Sequence, residues 1–290
     1  MWDTLLRQLI AGDLKALARV ISLVENEEPG YQEFMCSLPT PADIPIIGVT
    51  GPPGAGKSTL VDGLISEFVK ENSRTCILCV DPSSPFTSGA VLGDRVRMNS
   101  WYKTPGVYIR SLATRGSLGG LHPKIVEITE LAKAAGFHQI IIETVGVGQS
   151  EIEIAGLADI TMVVLVPGSG DDIQSMKAGL MEIADIFVIN KSDRPGADKL
   201  DQDLHLMMPR SKHIPIIKTI ATEKVGIREL IDIIKKEKLG NNTDRQVRLL
   251  ADKAFHLIQN NKMKGISRET LLLDLQQSPG MNLYQFIGKY

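Results

Sequence analysis

The hydrophobic positions along the chain fall into short continuous apolar runs that alternate with stretches of helical periodicity. Runs at 44–50, 75–80, 106–111, 139–143, 160–166, 186–190 and 214–219 are apolar on nearly every residue and rich in Ile and Val, the pattern of strands buried on both faces. Between them, segments 58–70, 121–136, 172–183, 198–207 and 226–238 repeat apolar residues every three to four positions, as amphipathic helices do. Such alternation predicts an α/β fold: a mostly parallel sheet with helices on both faces, and ligands bound beyond the carboxyl ends of the strands. Ahead of it, Leu5, Leu6, Leu9 and Ile10 share a helical face. Asp13 is placed to cap a second helix carrying Leu14, Leu17, Ile21 and Val24. The Pro-rich stretch 39–45 closes this helical preface. After Gly240-Asn241-Asn242 the strand pattern stops, and Val247, Leu250, Ala251, Ala254 and Ile258 mark one more helix before a Leu-rich tail. We therefore expect a helical extension over 1–42, a nucleotide-binding domain over 43–240, and a C-terminal helical arm over 241–290 that packs on the core or on a second subunit.

Composition narrows the function classes. With 290 residues, 43% of them hydrophobic, the chain can bury a large core. Lys and Arg number 32 against 34 Asp and Glu, so no basic field points to nucleic acid. No apolar run approaches the ~20 residues of a membrane span, and Met1-Trp2-Asp3 does not open a secretory signal. Three cysteines, Cys36, Cys76 and Cys79, suit a reducing cytoplasm better than a disulfide framework. Cys76 and Cys79 form a C-x-x-C inside a strand. That spacing puts them on opposite faces of the sheet, as small core residues and not as a metal or redox pair.

The chemistry gathers at strand ends. Gly51-Pro52-Pro53-Gly54-Ala55-Gly56-Lys57-Ser58, followed by Thr59, fits the phosphate-binding loop G-x-x-x-x-G-K-[ST], with a strand before it and a helix after it. The glycines let successive N–H groups face phosphate oxygens, and the helix N-terminus adds partial positive charge. Lys57 can reach the β- and γ-phosphates; Ser58 can place its hydroxyl on Mg²⁺. At the end of a later strand, Asn190-Lys191-Ser192-Asp193 fits N-K-x-D. A carboxylate at Asp193 accepts from both the ring N–H and the exocyclic amine of guanine, whereas adenine would leave it unpaired. Asn190 and the Lys191 stem would hold the loop and cover the base. Ile220, Ala221 and Thr222 occupy the place of a Ser-Ala base contact, with Ile in the serine position and the Ala221 N–H left to serve. Glu143, ending the strand before Thr144-Val145-Gly146-Val147-Gly148-Gln149, is placed to act on Mg²⁺. The Gly146 N–H would then sense the γ-phosphate. No glutamine directly follows Gly146, and Gln149 or Glu151 are weaker candidates for positioning water. Hydrolysis by the isolated chain is therefore expected near or below the ~10⁻⁴ s⁻¹ of unassisted small GTPases. Asp81 and Asp94 offer further hard oxygen ligands. Arg95, Arg97, Arg110 and Arg115 could supply charge to the transition state, while each read singly is a salt-bridge or surface arginine.

Taken together, Gly51–Thr59, Val80-Asp-Pro-Ser-Ser84, Leu92-Gly-Asp-Arg-Val-Arg-Met98, Tyr108-Ile-Arg110, Leu118-Gly-Gly120, Glu143–Glu151 and Asn190–Asp193 resemble the MeaB/ArgK/MMAA family. Its members are GTPases that act as chaperones of adenosylcobalamin-dependent acyl-CoA mutases, methylmalonyl-CoA mutase above all. The resemblance covers roughly residues 10–240. It implies GTP or GDP as ligand and a Mg²⁺ environment of Ser58, Asp81, Asp94 and Glu143. It also implies a switch I containing Asp94, a switch II over 146–151, and a third switch over 168–177 that includes Asp171, Asp172, Gln174 and Lys177. It further implies flanking helices, a homodimer, and a mutase partner whose cofactor delivery is gated by nucleotide state. No D-x-H-x-x-G cobalamin motif is present, so the cofactor is expected on the partner. The rival readings are a metallochaperone GTPase, an ATP-dependent kinase, and a nucleotide-switched interaction module with negligible turnover.

Overall fold

The structure, a computed structural model, describes residues 1–39, 44–81, 98–114, 121–144, 153–168, 179–208, 213–240, 243–263, 265–278 and 280–290. Its centre is a sheet of seven strands among the described residues, β1 Ile46–Thr50, β2 Thr75–Asp81, β3 Val107–Ala113, β4 Gln139–Glu143, β5 Ile160–Leu165, β6 Ile186–Asn190 and β7 Ile216–Thr219. The order is β3-β2-β4-β1-β5-β6-β7, and every pairing is parallel. β1 lies between β4 and β5, where the chain changes its direction of travel across the sheet; this is where open α/β sheets bind ligands.

Alternate residues of each strand feed two helical layers. One face carries Ile46, Cys76, Leu78, Ile140 and Ile142, covered by α1 Trp2–Ile10, α2 Leu14–Glu25, α3 Tyr31–Cys36 and α5 Ile125–Ala134. The other carries Ile47, Val49, Ile77, Cys79, Met162 and Val188, covered by α4 Lys57–Lys70 and α8 Ile227–Gly240. Beyond β1, the first face continues as Val163, Leu165, Phe187 and Ile189 under α7 Ala197–Met207, with Met181 and Ile183 of α6 Gly179–Ile183 packed beside them. Cys76 and Cys79, neither of them in a disulfide, lie in the two different layers, and burial pushes the Cys76 thiol far above its ordinary range.

The N-terminal helices therefore share a core with the sheet. Asp13 caps α2 as its position predicts, accepting from the Lys15 and Ala16 N–H groups. Leu5 and Leu9 are buried, but Ile10 is not. A polar link fastens the layer. Arg110 on edge strand β3 donates to Glu25 at the end of α2, and also to Ser22 Oγ. The buried His122 accepts the Lys124 N–H at Nδ1, which leaves its ring proton on Nε2, 3.4 Å from Glu25 Oε1. Burial alone would raise the Glu25 carboxyl; His122 and Arg110 together hold it below the ordinary glutamate value of 4.5. A lowered folded pKa means stability that is present above 4.5 and lost as pH falls through the lowered value. Arg110→Met should cost about 2 kcal/mol near neutrality, because it takes the charged hydrogen-bond donor away from a half-buried carboxylate. The cost should shrink once Glu25 is protonated, a difference read by urea titrations above and below that pH.

α9 Thr243–Lys262 lies across the first face. Leu249 is buried, and Leu257 packs on the cluster that includes α5. The apolar positions that mark this helix in the sequence, Val247, Leu250 and Ile258, are instead 61%, 67% and 59% exposed, with Phe255 beside them at 69%. α10 Arg268–Gln276 and α11 Leu283–Ile287 complete the arm. Among the described residues, no helix is long and apolar enough to cross a membrane.

Candidate nucleotide-binding site

The site grows out of the end of β1. Gly51 leaves the strand at φ +137°, and a Cβ there would lie 2.1 Å from the Val164 carbonyl oxygen of β5. Only glycine lets the loop begin this close to the neighbouring strand. Gly56 caps α4 at φ +86°, where a Cβ would meet Asn190 Nδ2 at 2.4 Å. The loop is thus pressed between the ends of β1, β5 and β6. Lys57 and Ser58 open α4 and are buried. The Lys57 ammonium turns back over the loop, donating to the carbonyls of Gly51 at 2.8 Å and Pro52 at 3.0 Å. The α4 N-terminus and this ammonium supply positive charge where a phosphate chain would lie.

Ser58 Oγ donates to Glu143 Oε1 at 2.6 Å, across 85 residues of sequence. Glu143 is in register with Val49 of β1 and with Cys79 of β2, so β4 delivers its carboxylate directly beside the phosphate loop. Asp81, also buried, ends β2 at the same edge of the sheet. One hydroxyl and two carboxylates at this edge form a hard oxygen donor set that fits Mg²⁺. The chemistry Mg²⁺ supplies when bound is charge neutralisation on the phosphates.

The loop of Asn190 to Asp193 is fastened to the phosphate loop from the other side. Asn190 Nδ2 donates to the Ala55 carbonyl at 2.9 Å, and Lys191 Nζ to the Gly54 carbonyl at 2.7 Å. Lys191 adopts φ +56°, the turn that brings Asp193 round to the exposed side of the loop. Asn190 Oδ1 accepts from Thr219 Oγ1 and from the Ala221 N–H, both at 3.1 Å. The Ala221 N–H, expected to serve the base, is engaged by Asn190 here; the residues of the third loop brace the second. Arg110 makes the salt bridge described above, in line with its single reading.

Lys57, Ser58, Glu143, Asp81, Asn190, Lys191, Asp193 and Ala221 thus gather at the carboxyl ends of β1, β2, β4, β6 and β7. Asp94, Gly146, Gln149, Glu151, Asp171, Asp172, Gln174 and Lys177 lie outside the described residues. Three threonines were given no role from the sequence: Thr219, which holds Asn190, and the buried Thr50–Thr144 pair, whose hydroxyls meet at 3.0 Å. Nothing in the local pattern marks them, because their partners lie 29 and 94 residues away.

The fold and this assembly of loops define a P-loop GTPase. The chain belongs to the MeaB family: the family model "Methylmalonyl Co-A mutase-associated GTPase MeaB" matches residues 17–270. A Pyrococcus abyssi relative named as a GTPase is 48% identical over 247 residues, covering 82% of this chain and 76% of its own. GTPase ArgK of Escherichia coli is 41% identical over 193 residues, 65% of this chain and 58% of its own. A fused isobutyryl-CoA mutase of Geobacillus kaustophilus is 35% identical over 276 residues, 87% of this chain but 25% of that protein. Among solved structures, that of a LAO/AO transport system kinase superposes with a TM-score of 0.66 at 25% identity, covering 99% of this chain and 95% of that one. The hydrogenase maturation factor HypB of Archaeoglobus fulgidus shares the fold, at a TM-score of 0.52 and 19% identity over 76% of this chain and 99% of that one.

Proposed function

We propose that this protein binds and hydrolyses GTP as the chaperone of an adenosylcobalamin-dependent acyl-CoA mutase of the methylmalonyl-CoA mutase type. In this reading it gates cofactor delivery and protects or reactivates the mutase. One observation carries the proposal beyond family membership: a protein named as a fused mutase contains a segment similar to 87% of this chain. The site supports the nucleotide half. Lys57 would neutralise phosphate charge, Ser58, Asp81, Glu143 and Asp94 would hold Mg²⁺, and Asp193 would read guanine. Asn190, Lys191 and the backbone of Gly51 to Ser58 would bind and orient the nucleotide. The stretches containing Asp94, Gly146–Glu151, and Asp171, Asp172, Gln174 and Lys177 would act as switches, ordered by the γ-phosphate and released on its loss. Coupling is then reciprocal: a mutase that prefers one nucleotide state tightens binding of that nucleotide by the same factor.

The test is GTP turnover in Mg²⁺, with ATP as control, alone and with the cobalamin mutase of the same organism. Large stimulation of GTP turnover alone supports the reading. GTP turnover that the mutase leaves unchanged keeps a cytoplasmic GTPase and removes this partner.

We further read residues 1–42 and 241–290 as extensions of the nucleotide-binding domain, the second serving a homodimer. Val247, Leu250, Phe255 and Ile258 line one side of α9 over about three turns and face solvent. A two-fold pairing of such faces would bury both stripes at once. Leu250→Glu combined with Ile258→Glu should convert a dimer to a monomer in light scattering while leaving GDP affinity unchanged. A wild-type protein that is monomeric at micromolar concentration would remove this assignment.

A further inference from the structure

The sheet edge at the site carries a buried bridge that none of the nucleotide-binding roles uses. Thr50 is the last residue of β1, and Thr144 follows the last residue of β4. Both are buried to within 1%. The Thr144 N–H donates to the Val49 carbonyl at 3.0 Å, which extends the β1–β4 ladder one residue past Glu143. The Thr144 hydroxyl then donates to Thr50 Oγ1 at 3.0 Å and lies 3.5 Å from the Val49 carbonyl oxygen. Each threonine sits one residue from a group at the reacting end. Thr50 precedes Gly51, whose carbonyl holds the Lys57 ammonium. Thr144 follows Glu143, whose carboxylate holds the Ser58 hydroxyl. Past Thr50 the chain leaves the sheet into the phosphate loop.

We propose that the Thr50–Thr144 hydroxyl bridge is a positioning device for GTP hydrolysis. It fixes the phosphate loop and the Glu143 strand end relative to each other, and so holds Lys57, Ser58 and Glu143 in one mutual geometry. The inference rests on the GTPase reading and deepens it. Strand ladders fix separation along the hydrogen-bonding direction; at the last rung, one more side-chain bond ties the ends of β1 and β4 to each other. Both threonine side chains are closed off inside the protein, and the base and phosphates would be held by other groups, so the bridge would bear on rate and not on affinity. An ångström of misplacement at a reacting centre can cost up to ~10²-fold in rate, while a net hydrogen bond accounts for about tenfold.

The experiment is single-turnover GTP hydrolysis together with GDP affinity for the wild type, Thr144→Val, Thr144→Ser, Thr50→Val and the double Val variant, with thermal melts alongside. Valine keeps the shape and removes the hydroxyl. Thr144→Val should slow hydrolysis about tenfold with GDP affinity held within about twofold. Thr144→Ser should run near the wild-type rate, and the double variant should be no slower than either single one, as expected for one shared bond. A Thr144→Val rate equal to wild type would overturn the proposal. So would a serine variant as slow as the valine one, or a GDP affinity that falls by the same factor as the rate. Should Thr144→Val lose its melting transition, Thr50→Val makes the same comparison from the other side of the bond. Wild-type protein that binds GTP but does not turn it over overturns the hydrolysis reading itself, and is told apart from these outcomes by the wild-type control.

Discussion

Asp193→Asn is expected to lower GTP affinity by about two orders of magnitude and to raise affinity for xanthosine triphosphate. The site would read guanine through two hydrogen bonds to one carboxylate, and hydrogen bonds to a charged group contribute about 1.5–3 kcal/mol each. Asparagine keeps one acceptor for the ring N–H but turns an N–H donor toward the exocyclic amine, so one contact becomes a clash of donors. Xanthine carries an oxygen at that position and accepts from the same amide. The loop around Asp193 does not depend on its carboxylate: Asn190 and Lys191 fasten it to Ala55 and Gly54. The substitution should therefore change base preference without unfolding the site. Displacement of a fluorescent guanine nucleotide by GTP, ATP and xanthosine triphosphate reads all three affinities. Unchanged GTP affinity would mean that the base is read elsewhere.

Lys57→Met should reduce single-turnover GTP hydrolysis by two to three orders of magnitude, the range for removing one preorganised charge donor at a reacting centre. The Lys57 side chain is buried, and its ammonium rests on two loop carbonyls. Phosphate oxygens would compete for the same three protons on better electrostatic terms. Methionine fills the same space without the charge, which separates lost catalysis from a collapsed loop. GDP affinity should fall far less than the rate, because the loop N–H groups and the helix N-terminus remain. A rate within about tenfold of wild type would place the catalytic charge on another residue.

Most of the sheet was legible in the sequence, because strands buried on both faces read as unbroken apolar runs. Two strand starts moved because of prolines. The first strand begins at Ile46 and not at residue 44, and the last at Ile216 and not at 214. Pro45 and Pro215 offer carbonyls to Ile140 and Phe187 but have no N–H to extend a ladder. The helix expected over 121–136 runs from Ile125 to Ala134, after a turn built on His122. The phosphate loop and the base loop were legible as motifs, since each is contiguous. Their mutual fastening was not: the Ser58–Glu143 bond, the Asn190–Ala55 bond and the threonine bridge each depend on the strand order, which no local pattern states. The outward stripe of α9 was visible as periodicity, but which of that helix's two apolar sides would meet the body was decided by packing with the N-terminal layer.

The position of β1 in the sheet bears on how the protein folds. β1 pairs only with β4 and β5, whose strands begin about ninety and more than a hundred residues later in the chain. A nascent chain that has emerged as far as β3 can pair β2 with β3, but it leaves β1 and its glycine loop without a neighbour on either side. Closing loops of this length before any contact rewards them makes assembly slow and places β1 late in it. The nucleotide site then forms only when the centre of the sheet does. A ligand of that site would bind the completed sheet and no partly built one, drawing the last steps of folding forward by mass action.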